Sequence, residues 1–129
     1  LQKIKFMMIM REPIDRFISI CNYHFQIFKK DENTLEKHIE RLKNNIGDNY
    51  YQYKLVENKY NINVELFRLE DKNGIENFFN QFGIELNFSI RKNISIPKYK
   101  ISDISKEDLI FLKKYFKKDY KLYNSLKLT

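Results

Sequence analysis

Phe6-Met7-Met8-Ile9-Met10-Arg11-Glu12-Pro13-Ile14-Asp15-Arg16-Phe17-Ile18-Ser19 is the stretch on which the fold of this 129-residue chain turns. Residues 4–10 are apolar over most of their length, which predicts a strand buried on both faces, as in a parallel sheet. After Arg11 the period changes. Ile14, Phe17, Ile18, Cys21, Phe25 and Phe28 recur at helical spacing and predict a helix over residues 13–29. Pro13 suits the first helical turn, where its missing N–H would have no partner. A strand that ends in an arginine and turns into a helix makes an anion site. The helix amino terminus presents free N–H groups and a partial positive charge. Arg11 can fork onto a phosphate, and Ser19 offers a hydroxyl.

Downstream, Asn33 or Thr34 caps a helix expected over residues 34–46, with Leu35, Ile39, Leu42 and Ile46 as its stripe and Gly47-Asp48-Asn49 as its stop. Residues 50–60 are rich in tyrosine and read as a short helix or a loop, the tyrosines serving foremost as half-buried packing. Asn63–Arg68 reads as a second strand. Asn73 is the expected cap of a helix over residues 74–82, which Gly83 ends. Residues 84–104 form a long extended segment that Pro97 keeps from being helical. Ser105-Lys106-Glu107-Asp108 is a capping signature, and one long helix is expected over residues 105–126, with Leu109, Leu112, Phe116, Tyr120, Tyr123 and Leu126 along one side.

The charge is uneven. Residues 1–87 hold 13 Lys and Arg against 13 Asp and Glu, whereas residues 88–129 hold 11 against 4, which is the whole net charge of +7. A basic carboxy-terminal third fits an anionic partner such as a nucleotide, a polyanionic glycan or nucleic acid, and it equally fits a solvated lysine face. The single cysteine, Cys21, excludes an internal disulfide and a multi-cysteine zinc site. His24 and His38 have no partners at ligand spacing, so no metal is expected. No run reaches the ~20 apolar residues of a membrane span. No signal peptide is visible, and the expectation is a cytoplasmic, reducing setting.

The Arg11 motif resembles the 3′-phosphate-binding motif of sulfotransferases that use 3′-phosphoadenosine 5′-phosphosulfate (PAPS), which carry an Arg after a parallel strand and a Ser eight residues later, as Arg11 and Ser19 stand here. With Pro13, Arg16 and the aromatic tail Tyr23 and Phe25, it is most similar to the carbohydrate (Golgi-type) branch. The ending Tyr115-Phe116-Lys117-Lys118-Asp119-Tyr120-Lys121-Leu122-Tyr123 resembles that branch's carboxy terminus. The turn Arg68-Leu69-Glu70-Asp71 partly resembles its second recurring element, with Lys72 in place of the usual Leu. The resemblance implies an α/β fold of the P-loop type in three layers, a parallel sheet flanked by helices, of which this chain is the carboxy-terminal part without the first strand. It further implies one sulfotransferase-like domain fragment over residues 1–129, in three parts: the 3′-phosphate-binding strand–loop–helix 4–29, a strand–helix 62–83, and a basic loop with the long helix 84–129. PAPS or its product adenosine 3′,5′-bisphosphate is the implied cofactor, with Arg11, Ser19, Arg91 and Lys92 as its contacts and Glu70 as a partner bracing Arg16. A sugar hydroxyl is the implied acceptor, and the tyrosines of residues 50–60 are possible sugar-stacking groups.

The family's other loop, of the form Lys-x-Gly-(Thr/Ser), grips the 5′-phosphosulfate. None of the three glycines (Gly47, Gly74, Gly83) stands in that context, and the family's catalytic base and sulfate-contacting lysine usually lie upstream of the Arg11 motif. No catalytic residue is therefore assigned, and transfer by this chain alone is not expected. Three readings remain: the PAPS-binding part of a carbohydrate sulfotransferase, an inactive nucleotide- or glycan-binding relative, and a basic domain for nucleic acid that rests on the charge alone. A parallel sheet without its first strand would expose an edge that invites association, with a missing amino-terminal segment or another chain.

Overall fold

The apolar run ends as strand β1, Phe6–Met10, shorter than expected because Ile4 and Lys5 lie outside the ladder. A computed structural model describes residues 4–45, 51–56, 63–88 and 97–129. Strand β2, Val64–Arg68, pairs with β1 in parallel, Phe6 opposite Val64 and Met10 opposite Arg68. Five α-helices accompany this two-stranded sheet among the described residues: α1 Pro13–Ile27, α2 Leu35–Lys43, α3 Lys72–Asn80, α4 Lys106–Tyr115 and α5 Lys117–Ser125. The fold is mixed α/β. None of these helices is long and apolar enough to cross a membrane.

The expected burial of β1 on both faces does not hold. Met10 is fully buried, but Phe6 and Ile9 are 45% and 39% exposed. Covering both faces of a parallel sheet takes helices on each side of several strands, and among the described residues there are two strands. The main core lies instead between helices. Ile14, Phe17, Ile18 and Cys21 of α1 pack with Leu35, Ile39 and Leu42 of α2 and with Ile104, Leu112 and Phe116. Phe17 and Phe116 meet with ring centroids 6.0 Å apart. The Cys21 thiol is buried and pushed up to about 12, chiefly by desolvation, so it behaves as a small apolar side chain.

Several element ends differ from the sequence expectation, each for a local reason. Helix α1 stops at Ile27, and Phe28 turns extended and stays exposed. Helix α2 is capped by Thr34, whose hydroxyl accepts from the Lys37 amide, and it gives way at Asn44-Asn45, Asn45 taking a left-handed φ of 54°. Ile46 and the Gly47 stop lie outside the described residues. Helix α3 is capped by Asp71, not Asn73. The Asp71 carboxylate accepts from the Gly74 amide at 3.1 Å and from the Thr129 amide and hydroxyl at 3.1 and 2.8 Å. Burial alone would push the Asp71 carboxyl up, but the Thr129 hydroxyl and the Gly74 and Thr129 amides together hold it below the usual carboxylate range. The long carboxy-terminal helix is two helices that meet at Phe116, whose ring is buried in the core.

Two stability predictions follow from these sites. A Cβ on Gly74 would stand 2.3 Å from Asp71 Oδ2 and 2.8 Å from Thr129 Oγ1. Gly74→Ala is therefore expected to lower unfolding stability by ~1–3 kcal/mol in urea titrations, and an unchanged midpoint would refute the close packing. His38 is fully buried, its ring 5.4 Å from that of His24. Burial, with Arg41 and His24 adding positive charge, lowers its pKa to about 4. The unfolded chain takes up this proton near pH ~6.5 and the folded chain does not, so stability falls as the pH drops from ~6.5 toward 4. Replacing His38 with Leu should flatten that slope in urea midpoints measured at pH 7 and pH 5.

Candidate anion-binding site

Both strands run to the same end of the sheet, where the loops Arg11–Glu12 and Leu69–Glu70 leave them. The Leu69 amide donates to the Met10 carbonyl at 2.9 Å and ties the two loops together. In parallel α/β sheets ligands bind outside the carboxyl ends of the strands, and the sequence-predicted Arg11 stands at this end.

Arg11 is held by its backbone. The buried Gln52 side chain accepts from the Arg11 amide at 3.0 Å and donates to the Arg11 carbonyl at 2.8 Å. Gln52 is itself fixed: its amide and that of Tyr53 donate to the two oxygens of the Asp119 carboxylate, each at 2.9 Å. Asp119 lies on α5 and is fully buried. A buried carboxylate must be compensated by donors, and these two amides supply them. The Arg11 guanidinium, half-buried, forms no hydrogen bond or ion pair among the described residues.

The helix terminus behaves differently from the expectation. Glu12 is the N-cap of α1, and its carboxylate accepts from the Ile14 and Asp15 amides at 2.9 and 3.2 Å. The Tyr120 hydroxyl on α5 donates to the same carboxylate. The first amides of α1, expected to be free for a bound anion, are thus taken by the chain's own carboxylate. Burial first, and then the bond to Glu12, push the Tyr120 phenol well above its ordinary range. Asp15, in the first turn, is also shifted upward, by burial and then by the negative charge of Glu12.

Two cations and a hydroxyl also stand on this loop and helix. Arg16 is half-buried, and burial lowers its pKa. The Asp119 charge opposes this shift and the Arg11 charge adds to it, so the two guanidinium groups and Asp119 share one neighbourhood. Ser19 lies one turn beyond Arg16, on the same side of α1 and half-buried. Arg11 at the strand end, Arg16 in the first turns and Ser19 above it therefore follow one edge of the loop and helix. Glu70 accepts the Tyr123 hydroxyl at 2.9 Å, and Asp119 is the carboxylate whose charge acts on Arg16. Arg68 lies with its guanidinium carbon 4.3 Å from the Tyr123 ring centroid and donates to the Tyr123 carbonyl. Helix α5 thereby reaches both loops, through Asp119 and Tyr120 on one side and Tyr123 on the other.

Arg91 and Lys92, the other expected nucleotide contacts, lie outside the described residues, as do Tyr50 and Tyr60. Tyr51 and Tyr53 are half-buried, and Tyr51 stacks on Tyr115 with centroids 4.6 Å apart, so these two serve as packing. Gln52 was not singled out by sequence. A polar residue among tyrosines carries no periodic signal, and only the fold brings it to Arg11. No family model matches this chain, and comparison with curated proteins and with solved structures likewise gave no match.

The Asp119 bridge has a measurable cost. Asp119→Asn replaces one acceptor oxygen with an NH2 group and leaves a buried amide donor of residue 52 or 53 without its partner. An unpaired buried donor costs roughly 1–3 kcal/mol, so the urea midpoint should fall accordingly. Retention of the wild-type midpoint would mean that this carboxylate does not hold the loop.

Proposed function

We propose that the chain is the donor-binding part of a sulfotransferase acting on carbohydrate hydroxyls, with the 3′-phosphate of PAPS or of adenosine 3′,5′-bisphosphate bound at Arg11, Arg16 and Ser19. The observation that carries the reading is the Arg11 guanidinium, which has no hydrogen bond or ion pair among the described residues, is held by its backbone at the carboxyl end of a parallel strand, and is near enough to Arg16 for their charges to act on each other. A phosphate monoester matches two arginines and a hydroxyl in charge and in hydrogen-bonding geometry. The parallel β1–β2 pair and the helices that follow each strand are consistent with part of a three-layer P-loop-type sheet.

In this reading the chain binds and orients the donor. Arg11 and Arg16 neutralise the 3′-phosphate, Ser19 donates to it, and Arg91 with Lys92 covers the nucleotide. Sulfuryl transfer needs donor and acceptor held in line, charge stabilised on the equatorial oxygens and an activated hydroxyl. The 5′-phosphosulfate loop for that step is not in this sequence. The second reading is an inactive sulfotransferase-like module that binds nucleotide or glycan without turnover. The two are separated by assaying transfer from PAPS to a carbohydrate acceptor.

Donor binding itself is tested by thermal unfolding. Adenosine 3′,5′-bisphosphate at a hundredfold excess over its dissociation constant should stabilise the chain by ~2.7 kcal/mol. Arg11→Ala and Ser19→Ala should each remove most of that shift. Adenosine 5′-monophosphate stabilising the chain equally well, or full retention of the shift in Arg11→Ala, would sink the assignment.

A further inference from the structure

A cavity lies on the distal half of α1, well along the helix from Arg11. It measures about 430 Å³ and is lined by Asn22, Phe25, Gln26, Lys30, Pro97 and Lys98. The two lysines set its chemistry. Lys30 Nζ stands 5.5 Å from the Phe25 ring centroid and Lys98 Nζ 5.9 Å from it, so two ammonium groups converge on one aromatic ring. The described lining contains no carboxylate. Among the described residues neither lysine forms an ion pair, and Gln26, exposed, keeps its amide out of any hydrogen bond. The two positive charges share a single ring, whose quadrupole compensates them only in part.

Hydrogen bonds hold the walls of the cavity. Asn22 donates to the Tyr99 carbonyl at 3.0 Å and accepts from the Tyr99 amide at 2.7 Å, which locks the 97–99 segment onto α1. Tyr99 meets the Phe25 ring edge-on with centroids 5.5 Å apart and sets its orientation. The result is an oriented apolar ring, with two ammonium groups and an amide that have no ion pair or hydrogen bond among the described residues, around a space large enough for one ring-sized ligand.

We propose that this groove binds a ring-bearing organic anion, its ring against Phe25 and its anionic group between Lys30 and Lys98. The anion supplies the countercharge that the two lysines lack among the described residues, the ring covers Phe25, and Gln26 hydrogen-bonds a hydroxyl or a base edge. A sugar acid and a nucleoside monophosphate share this chemistry, and the probes distinguish them. The site is separate from the one at Arg11 and stands or falls independently of it.

Glucuronate, adenosine 5′-monophosphate, methyl glucoside and inorganic phosphate are titrated into the isotopically labelled chain, with the amide signals of Gln26 and Lys98 followed by NMR. One of the two ring anions should bind at least tenfold more tightly than both the uncharged ring and the ringless phosphate. Phe25→Leu should weaken that binding about tenfold, the loss expected from removing ~1.4 kcal/mol of ring contact. Lys30→Gln and Lys98→Gln, both at exposed positions with no bearing on the core, should each weaken it at least threefold. Arg11→Ala should leave it unchanged. Equal binding of phosphate alone, no binding of either ring anion at 10 mM (roughly −2.7 kcal/mol), or full affinity in both lysine variants would overturn the proposal.

Discussion

A buried carboxylate on a late helix holds the early loop in place. Asp119 has no solvent and no room for an unpaired oxygen, so the backbone amides of residues 52 and 53 must come to it. Once they do, the Gln52 side chain is aimed at the Arg11 backbone and pairs with both its amide and its carbonyl. Three segments far apart in sequence are joined through one charge. The same helix sends Tyr120 to Glu12 and Tyr123 to Glu70, so both loops at the strand ends depend on where α5 sits. The position of α5 is set in turn by Phe116, which packs against Phe17 of α1. Core packing and loop geometry are therefore one arrangement, and Arg11 is presented by the whole helical layer rather than by its own loop.

The sequence was legible where a period or a cap decided the outcome. The helical spacing of Ile14, Phe17, Ile18 and Cys21 and of Leu35, Ile39 and Leu42 marks the residues that fill the core. Ser105 and Thr34 cap the helices they precede. Misreadings fell where tertiary contacts override local preference. Asn73 is a good cap by type, but Asp71 can satisfy Gly74 and Thr129 together. Tyr120 lies on the same stripe as Phe116, yet it is only half-buried because its hydroxyl is drawn to Glu12. The strand was expected to be covered on both faces because its residues are apolar, yet the apolar run says nothing about how many strands lie beside it.

The candidate site shows the same division. Arg11 and Ser19 are candidates from their spacing alone, and the charge of Arg11 acts on Arg16. Gln52 and the Asp119 bridge depend on residues 41 and 67 positions away from their partners. No pattern of neighbours in sequence can encode them. Glu12 could be read from its position before Pro13, but its role as a cap hinges on a side-chain conformation that Tyr120 helps to fix.

That cap has a consequence for how the loop behaves before any ligand arrives. A helix terminus left open would be held only by water, and the loop ahead of it would sample many conformations. Here the chain supplies its own counter-anion, Glu12, so the backbone that follows Arg11 is held without one from outside. The cost is that Glu12 would also repel an anion approaching along the helix axis. Were a phosphate to bind as proposed, the two effects would steer it sideways, toward the guanidinium groups, and the loop would act as a rigid selector of approach direction rather than an open trap for charge.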